Sequence, residues 1–146
     1  MNPLRRLTAT LKRQVMLMKA TSFALVGVVN TAIDLAIFLA AYNLFDVPLI
    51  PANVMAWLVA VSFSYVMNST ITFAAESGRK LRWRDYGTFL ASGVVGVIDN
   101  TATLVLASYV VPVLVAKFMA IGVSFLVNFT LSHFVVFRKK AKPVEH

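Results

Sequence analysis

IPANVMAWLVAVSFSYVMNSTITFAA, residues Ile50 to Ala75, is a run of 26 positions without one charged side chain. A helix needs roughly 20 apolar residues to cross a ~30 Å hydrocarbon core, so this run reads as a transmembrane span. Three further stretches repeat the pattern. Thr21 to Phe45 holds only Asp34, Tyr86 to Val111 only Asp99, and Pro112 to Phe137 only Lys117. Pro48, Pro51 and Pro112 mark the turns where helices should break. The expected fold class is therefore an all-α membrane protein. Its four transmembrane helices are placed at about 21–44, 51–74, 87–109 and 114–137. The first span is far longer than a signal-peptide core and lacks a cleavage pattern, so it is expected to be retained.

Composition points the same way. The chain has 146 residues, 59% of them hydrophobic, 14% charged and a formal net charge of +8. Its mean hydropathy is +0.77. A soluble fold of this size cannot hide that much apolar surface. The basic residues flank the apolar runs, which suits a lipid bilayer and argues against nucleic acid as partner. Arg5, Arg6, Lys12, Arg13 and Lys19 precede span one, and Arg79, Lys80, Arg82 and Arg84 lie between spans two and three. Arg138, Lys139, Lys140 and Lys142 follow span four. The positive-inside rule then places both termini and the central loop in the cytoplasm. Leu4, Leu7, Leu11, Val15 and Met18 recur at helical spacing among the first basic residues. Residues 1–19 are thus expected to form a short amphipathic interfacial helix anchored on the anionic leaflet, ahead of a transmembrane domain over 20–146.

The chain also repeats itself. Setting Gly27-Val28-Val29 against Gly93-Val94-Val95 places Asn30 opposite Gly96 and Asp34 opposite Asn100. At a shift of 64, Ala52, Ala56, Ala60, Ser64 and Asn68 fall opposite Ala116, Ala120, Ser124, Asn128 and Ser132. Small or polar residues every fourth position let helix backbones approach closely, so spans two and four are expected to pack along these stripes. Two hairpins of equal orientation imply parallel tandem repeats about an axis along the membrane normal.

Ionisable groups inside a membrane need a reason, since even lenient scales charge about 2.5–3.5 kcal/mol for a central carboxylate. Asp34 lies one turn after Asn30 in span one. In span three Gly96, Asp99, Asn100 and Thr103 share a face. With Ser64, Asn68, Ser124, Asn128 and Ser132 they are expected to line a polar cleft at mid-depth. The alternative is that these amides and hydroxyls only join helices, at about 0.6 kcal/mol per bond. Low dielectric favours a neutral carboxyl, so one or both of Asp34 and Asp99 are expected to be protonated at rest. Lys117 either snorkels to the outer surface or grips an anion there. His133 reads as an interfacial hydrogen-bonding residue, and Trp57, Tyr65, Trp83 and Tyr86 mostly as an aromatic belt.

Chemistry of the enzymatic kind is not signalled. The chain has no cysteine, no HExxH, no GxSxG and no nucleotide-binding glycine loop, and its two histidines cannot form a metal cluster. Neither an enzyme nor a bound cofactor is expected.

Four motifs carry a family resemblance: Phe23–Asp34, Met67–Phe73, Phe89–Gly96 and Val127–Phe137. In this order and spacing, over roughly residues 20–140, the chain resembles the GtrA-like membrane proteins. The resemblance implies flipping of a polyprenyl-phosphate-linked sugar across the cytoplasmic membrane of a bacterium, for surface polysaccharide or cell-wall decoration. A membrane glycosyltransferase is the implied partner. Carried over by position, the polar motif residues are Asn30, Asp34, Asn68 and Asn128. Asp99, Asn100 and Lys117 join them as candidate substrate-binding residues. Where the family often has arginines, this chain has Ser69, Thr70 and His133, which would leave the phosphate to Arg79 or Arg138. Four helices are too thin to enclose a sugar, so a homo-oligomer is expected. The rival readings are an anchor for a glycosyltransferase and, last, a small multidrug exporter. The exporter lacks support because the charge bias opposes dual orientation and span one carries no glutamate.

Overall fold

A computed structural model describes the backbone of residues 2–140 and the side chains of residues 2–127. Asn128, Ser132, His133 and Arg138, named above for their side chains, lie outside the described side chains, and Lys142 and His146 lie outside the described residues altogether. Within these bounds the chain is helical, with no strand. Helix α1 spans Pro3–Leu39 and runs into one π-helical turn at Ala40–Leu44. Helix α2 spans Leu49–Met67, followed by a π turn at Asn68–Thr72. A short α3 (Ala74–Ser77) leads to α4 (Trp83–Ser108) and α5 (Val113–Lys140). Pro3-Leu44, Leu49-Thr72 and Trp83-Ser108 are long and apolar enough to cross a membrane. The apolar described part of α5 is Val113–Val127.

The prolines act as punctuation. Pro48 caps α2 and Pro112 immediately precedes α5, each accepting the amide of the residue four positions on, Ala52 and Ala116. Between α1 and α2, Asp46 takes φ 51° to turn the chain. Between α3 and α4, Gly78 (φ 62°) and Arg79 (φ 55°) do so. The bundle thus has a hairpin end, with the 45–48 and 109–112 turns, and a basic end, with the N-terminus and the 78–82 loop.

Packing is pairwise. Helix α1 lies along α2, α4 along α5, and α2 also contacts α4. Ala52, Ala56 and Ala60 on α2, and Ala116 and Ala120 on α5, are buried, as their spacing suggests. Yet they do not pair α2 with α5, as the stripes led us to expect. Among the described residues those two backbones make no close approach. Ala52 and Ala56 of one stripe and Ala116 and Ala120 of the other instead share a single core cluster with Phe38, Ala41, Leu104 and Ala107 of α1, its π turn and α4. A small-residue stripe specifies close contact but not the partner, and short turns favour the adjacent helix.

A second difference concerns the first 19 residues. They do not form a separate surface helix, because α1 is unbroken from Pro3. With its π turn it counts 42 residues, roughly 60 Å at 1.5 Å per residue, about twice the hydrocarbon thickness. Asn2 caps it through Oδ1, accepting the Leu4 amide at 3.3 Å, and nothing near Lys19 stops it. At the basic end Lys19 pairs with Glu76 of α3. Ser22 and Thr72 hydroxyls meet at 2.9 Å, and Phe23 meets Phe73 edge-on.

The aromatic residues divide. Trp83 is 87% exposed, as a belt residue should be. Tyr65 instead is buried, donating to the Arg82 carbonyl and accepting the Arg82 amide, both at 3.0 Å, so it secures the start of α4. Trp57 lies against Gly93 of α4, where a Cβ would come within 3.1 Å of its ring. Elsewhere the helices turn large apolar side chains outward, among them Leu25, Val28, Leu58, Ile98, Leu106 and Phe125. A surface of that kind suits lipid contact.

Candidate functional site: a buried lysine shared by four helices

Lys117 stands one turn into α5, on the side occupied by the Ala116 and Ala120 stripe, and is completely buried. The snorkelling reading therefore fails. The side chain turns into the bundle because a carboxylate waits there. Its Nζ lies 2.5 Å from Asp34 Oδ2 on α1. It also donates to Asn53 Oδ1 on α2 at 2.7 Å and sits 4.8 Å from the centre of the Phe38 ring. An ammonium has three protons and no acceptor, so two hydrogen bonds and one aromatic face satisfy it in full.

Asn53 carries the contact onward. It is 1% exposed, and its Nδ2 donates to Asn100 Oδ1 at 3.1 Å and to Thr101 Oγ1 at 2.9 Å, both on α4. One amide thus accepts from α5 and donates twice to α4, leaving no proton of its own idle. All four long helices meet at this cluster. It lies toward the hairpin end, one turn into α2 and α5.

The other candidates fall elsewhere. Asp99 accepts from Ser124 Oγ at 3.1 Å, an α4–α5 link separate from the lysine. Asn30 lies one turn from Asp34 toward the basic end, and Asn68 lies at the far end of α2, where its Nδ2 donates to Ser64 Oγ at 3.1 Å. Among the described residues, neither Asn30 Oδ1 nor Asn68 Oδ1, both buried, meets a donor. Counting eight residues inward from the Ser22–Thr72 contact brings Asn30 level with Ser64 on the antiparallel neighbour. Around the lysine, among the described residues, the structure shows bonded polar groups in place of the expected open cleft. Shallow hollows lie instead at the Tyr42–Pro48 turn and along residues 3–14 of α1.

Sequence reasoning singled out Asp34, Asn100 and Lys117 separately, with Lys117 at the outer surface; the structure brings the three into one cluster and adds Asn53 and Thr101. The signal for Asn53 was present. The shift that sets Ala52 opposite Ala116 sets Asn53 opposite Lys117. The neutral-carboxyl expectation for Asp34 and Asp99 did not include a cation, and Lys117 supplies Asp34 with one at contact distance. Among the described residues no group of acids, histidines and cysteines could hold a metal ion.

Residues 22–137 match the family described as the GtrA/DPMS transmembrane domain. The chain is also 30% identical, over 125 residues, to a curated bactoprenol-linked glucose translocase of Salmonella phage P22. That match covers 84% of this chain and 98% of the relative. No solved structure matches the chain.

Proposed function

Because this chain belongs to the GtrA/DPMS transmembrane-domain family, we propose that it translocates a polyprenyl-phosphate-linked sugar across the bilayer, as its phage relative's name states for bactoprenol-linked glucose. The observation that carries the reading is the buried cluster of Asp34, Asn53, Asn100, Thr101 and Lys117, to which every long helix contributes. Charge and amides at such depth are costly for a mere anchor, whereas a head group passing through hydrocarbon needs replacements for water.

On this reading Asn30, Asp34, Asn68, Asp99, Asn100, Lys117 and Asn128 form the substrate path. The oxygens of Asn30 and Asn68, which meet no donor among the described residues, suit sugar hydroxyls, which arrive as donors. The protein acts without catalysis in the cytoplasmic membrane of a bacterium. Its four spans form two parallel tandem hairpins, with the basic end, both termini included, in the cytoplasm. A membrane glycosyltransferase supplies the lipid-linked sugar, and copies of the chain assemble to enclose it.

The test is leaflet transfer of polyprenyl-phosphate glucose in proteoliposomes containing this protein alone. Protein-dependent transfer that Asp34→Asn reduces at least about tenfold is the expected result, equivalent to ~1.4 kcal/mol of barrier. Absence of transfer by the wild type sinks the translocator reading.

A further inference from the structure

The bonds around Lys117 are crossed. The internal alignment sets Asp34 opposite Asn100 and Asn53 opposite Lys117. In space Asp34 bonds Lys117, while Asn100 bonds Asn53. Exchanging the two hairpins exchanges these bonds, and the Lys117–Asn53 bond joins the two equivalent positions to each other. One bond of the crossed pair is ionic and its counterpart is neutral. The ionic one is also uneven in exposure, since the Lys117 side chain is 0% exposed and that of Asp34 15%. The cation is held from within by Asn53 and the Phe38 ring, and its anion is the partner within reach from outside.

Resting on the translocation reading, we propose that Lys117 binds the phosphate of the lipid-linked sugar in place of the Asp34 carboxylate. Asn53 is the positioning residue that keeps the ammonium aimed during the exchange. An ammonium in hydrocarbon must keep an anionic partner, because a buried charge left unpaired is strongly destabilising. A carboxylate and a phosphodiester each carry one negative charge, so the ammonium has one anionic partner before and after. No proton moves and no covalent bond changes. Asp34 withdraws toward its exposed side, where its oxygens accept hydroxyls of the sugar or water. Asn53 stays, since its bonds to Asn100 and Thr101 anchor it to α4 independently of the ion pair. A diphosphate would bring a second charge for which the cluster, among the described residues, holds no second cation.

The experiment uses the full chain in lipid nanodiscs and proteoliposomes. Binding of polyprenyl-phosphate glucose, polyprenyl diphosphate and uncharged polyprenol is measured alongside leaflet transfer. The wild type is expected to prefer the monophosphate lipid over polyprenol by at least about tenfold. Inorganic phosphate at matched concentration should not displace it; displacement would make this a free-phosphate site and overturn the exchange. Asp34→Asn removes the competing anion, so it should tighten binding of the monophosphate lipid while slowing transfer. Unchanged or weaker binding overturns the proposal. Lys117→Gln should abolish the preference over polyprenol. Should that variant not fold, Asp34→Asn, which keeps the cation, carries the decision. The exchanged pair Asp34→Lys/Lys117→Asp rebuilds an ion pair but moves the cation off Asn53, so it should restore folding without transfer. Recovered transfer would show the pair to be structural and overturn the exchange. Wild-type transfer without phosphate preference defeats this proposal alone, while phosphate preference without any transfer defeats the translocation reading.

Discussion

Toward the hairpin end, Lys117, Asp34, Asn53, Asn100 and Thr101 use one another up: each proton of the ammonium and of the Asn53 amide has a destination. Closer to the basic end, on α1 and in the π turn that follows α2, Asn30 and Asn68 keep buried oxygens that no donor meets among the described residues. The chemistry of the side chains is alike in both places, so the contrast comes from placement. A complete donor–acceptor set holds helices together and resists opening, because breaking it leaves charge in low dielectric. An incomplete set contributes little to stability and retains capacity for a ligand's donors.

That contrast is most directly broken at Lys117. Replacing it by Met strands Asp34 and Asn53 at once and should destabilise the bundle by about 3–5 kcal/mol, read as loss of folded protein against denaturant in detergent. The double change Asp34→Leu/Lys117→Met should recover most of that loss, since removing both members of a buried pair is often near neutral. Asn53→Leu is next. It removes three hydrogen bonds and leaves the ammonium short of an acceptor, for an expected loss of about 1–3 kcal/mol in the same assay. At the other half, Asn30→Leu should change stability by no more than about 1 kcal/mol, while reducing leaflet transfer. Equal destabilisation at Asn30 and Asn53 would erase the distinction between the halves.

Two finer tests follow the same line. Gly27 and Gly93 occupy equivalent positions in the internal alignment, but only Gly93 has a neighbour, the Trp57 ring at 3.1 Å from an added Cβ. Gly93→Ala should therefore disturb α2–α4 packing, visible as a change in Trp57 emission. Gly27→Ala meets open space and should be neutral or stabilising by up to about 1 kcal/mol. The smallest effect is expected at the surface. The Lys19 ammonium bonded to Glu76, helped by a backbone hydrogen bond, holds that carboxyl below the usual carboxylate range. A lowered folded pKa means that the tether's contribution is present above the ordinary glutamate value of about 4.3 and is lost as pH falls through the lowered one. Amide exchange in Ala74–Ser77, after correction for its intrinsic pH dependence, should rise below that value. Glu76→Gln should remove the pH step.

How much of this was readable in advance varied with the kind of interaction. Charge-free runs and prolines located the helices closely, because a backbone in hydrocarbon has few alternatives to helix and a proline ends one wherever it sits. Asp34, Asn100 and Lys117 stood out because ionisable and amide groups are expensive at that depth. Asn53 did not, since an asparagine one turn from a helix start looks like any interfacial polar residue. Only the repeat would have flagged it. Tyr65 looked like a belt residue and proved to secure the start of α4 through its hydroxyl.

By itself, then, the sequence determined that the chain is a helical membrane protein, where its helices lie and which of its side chains are too costly to be incidental. These are local properties, set by hydropathy, charge and spacing along one chain. Tertiary structure alone decided that, among the described residues, the α2 and α5 backbones stay apart despite their matching alanine stripes, that α1 continues unbroken through its basic segment, and that Lys117 points inward. Each depends on which surface meets which, and for Lys117 the deciding fact is a single carboxylate on another helix, 83 positions away in the chain. An ammonium follows its counter-ion wherever burial makes the pair worth more than solvation, and that comparison exists only once four helices have assembled.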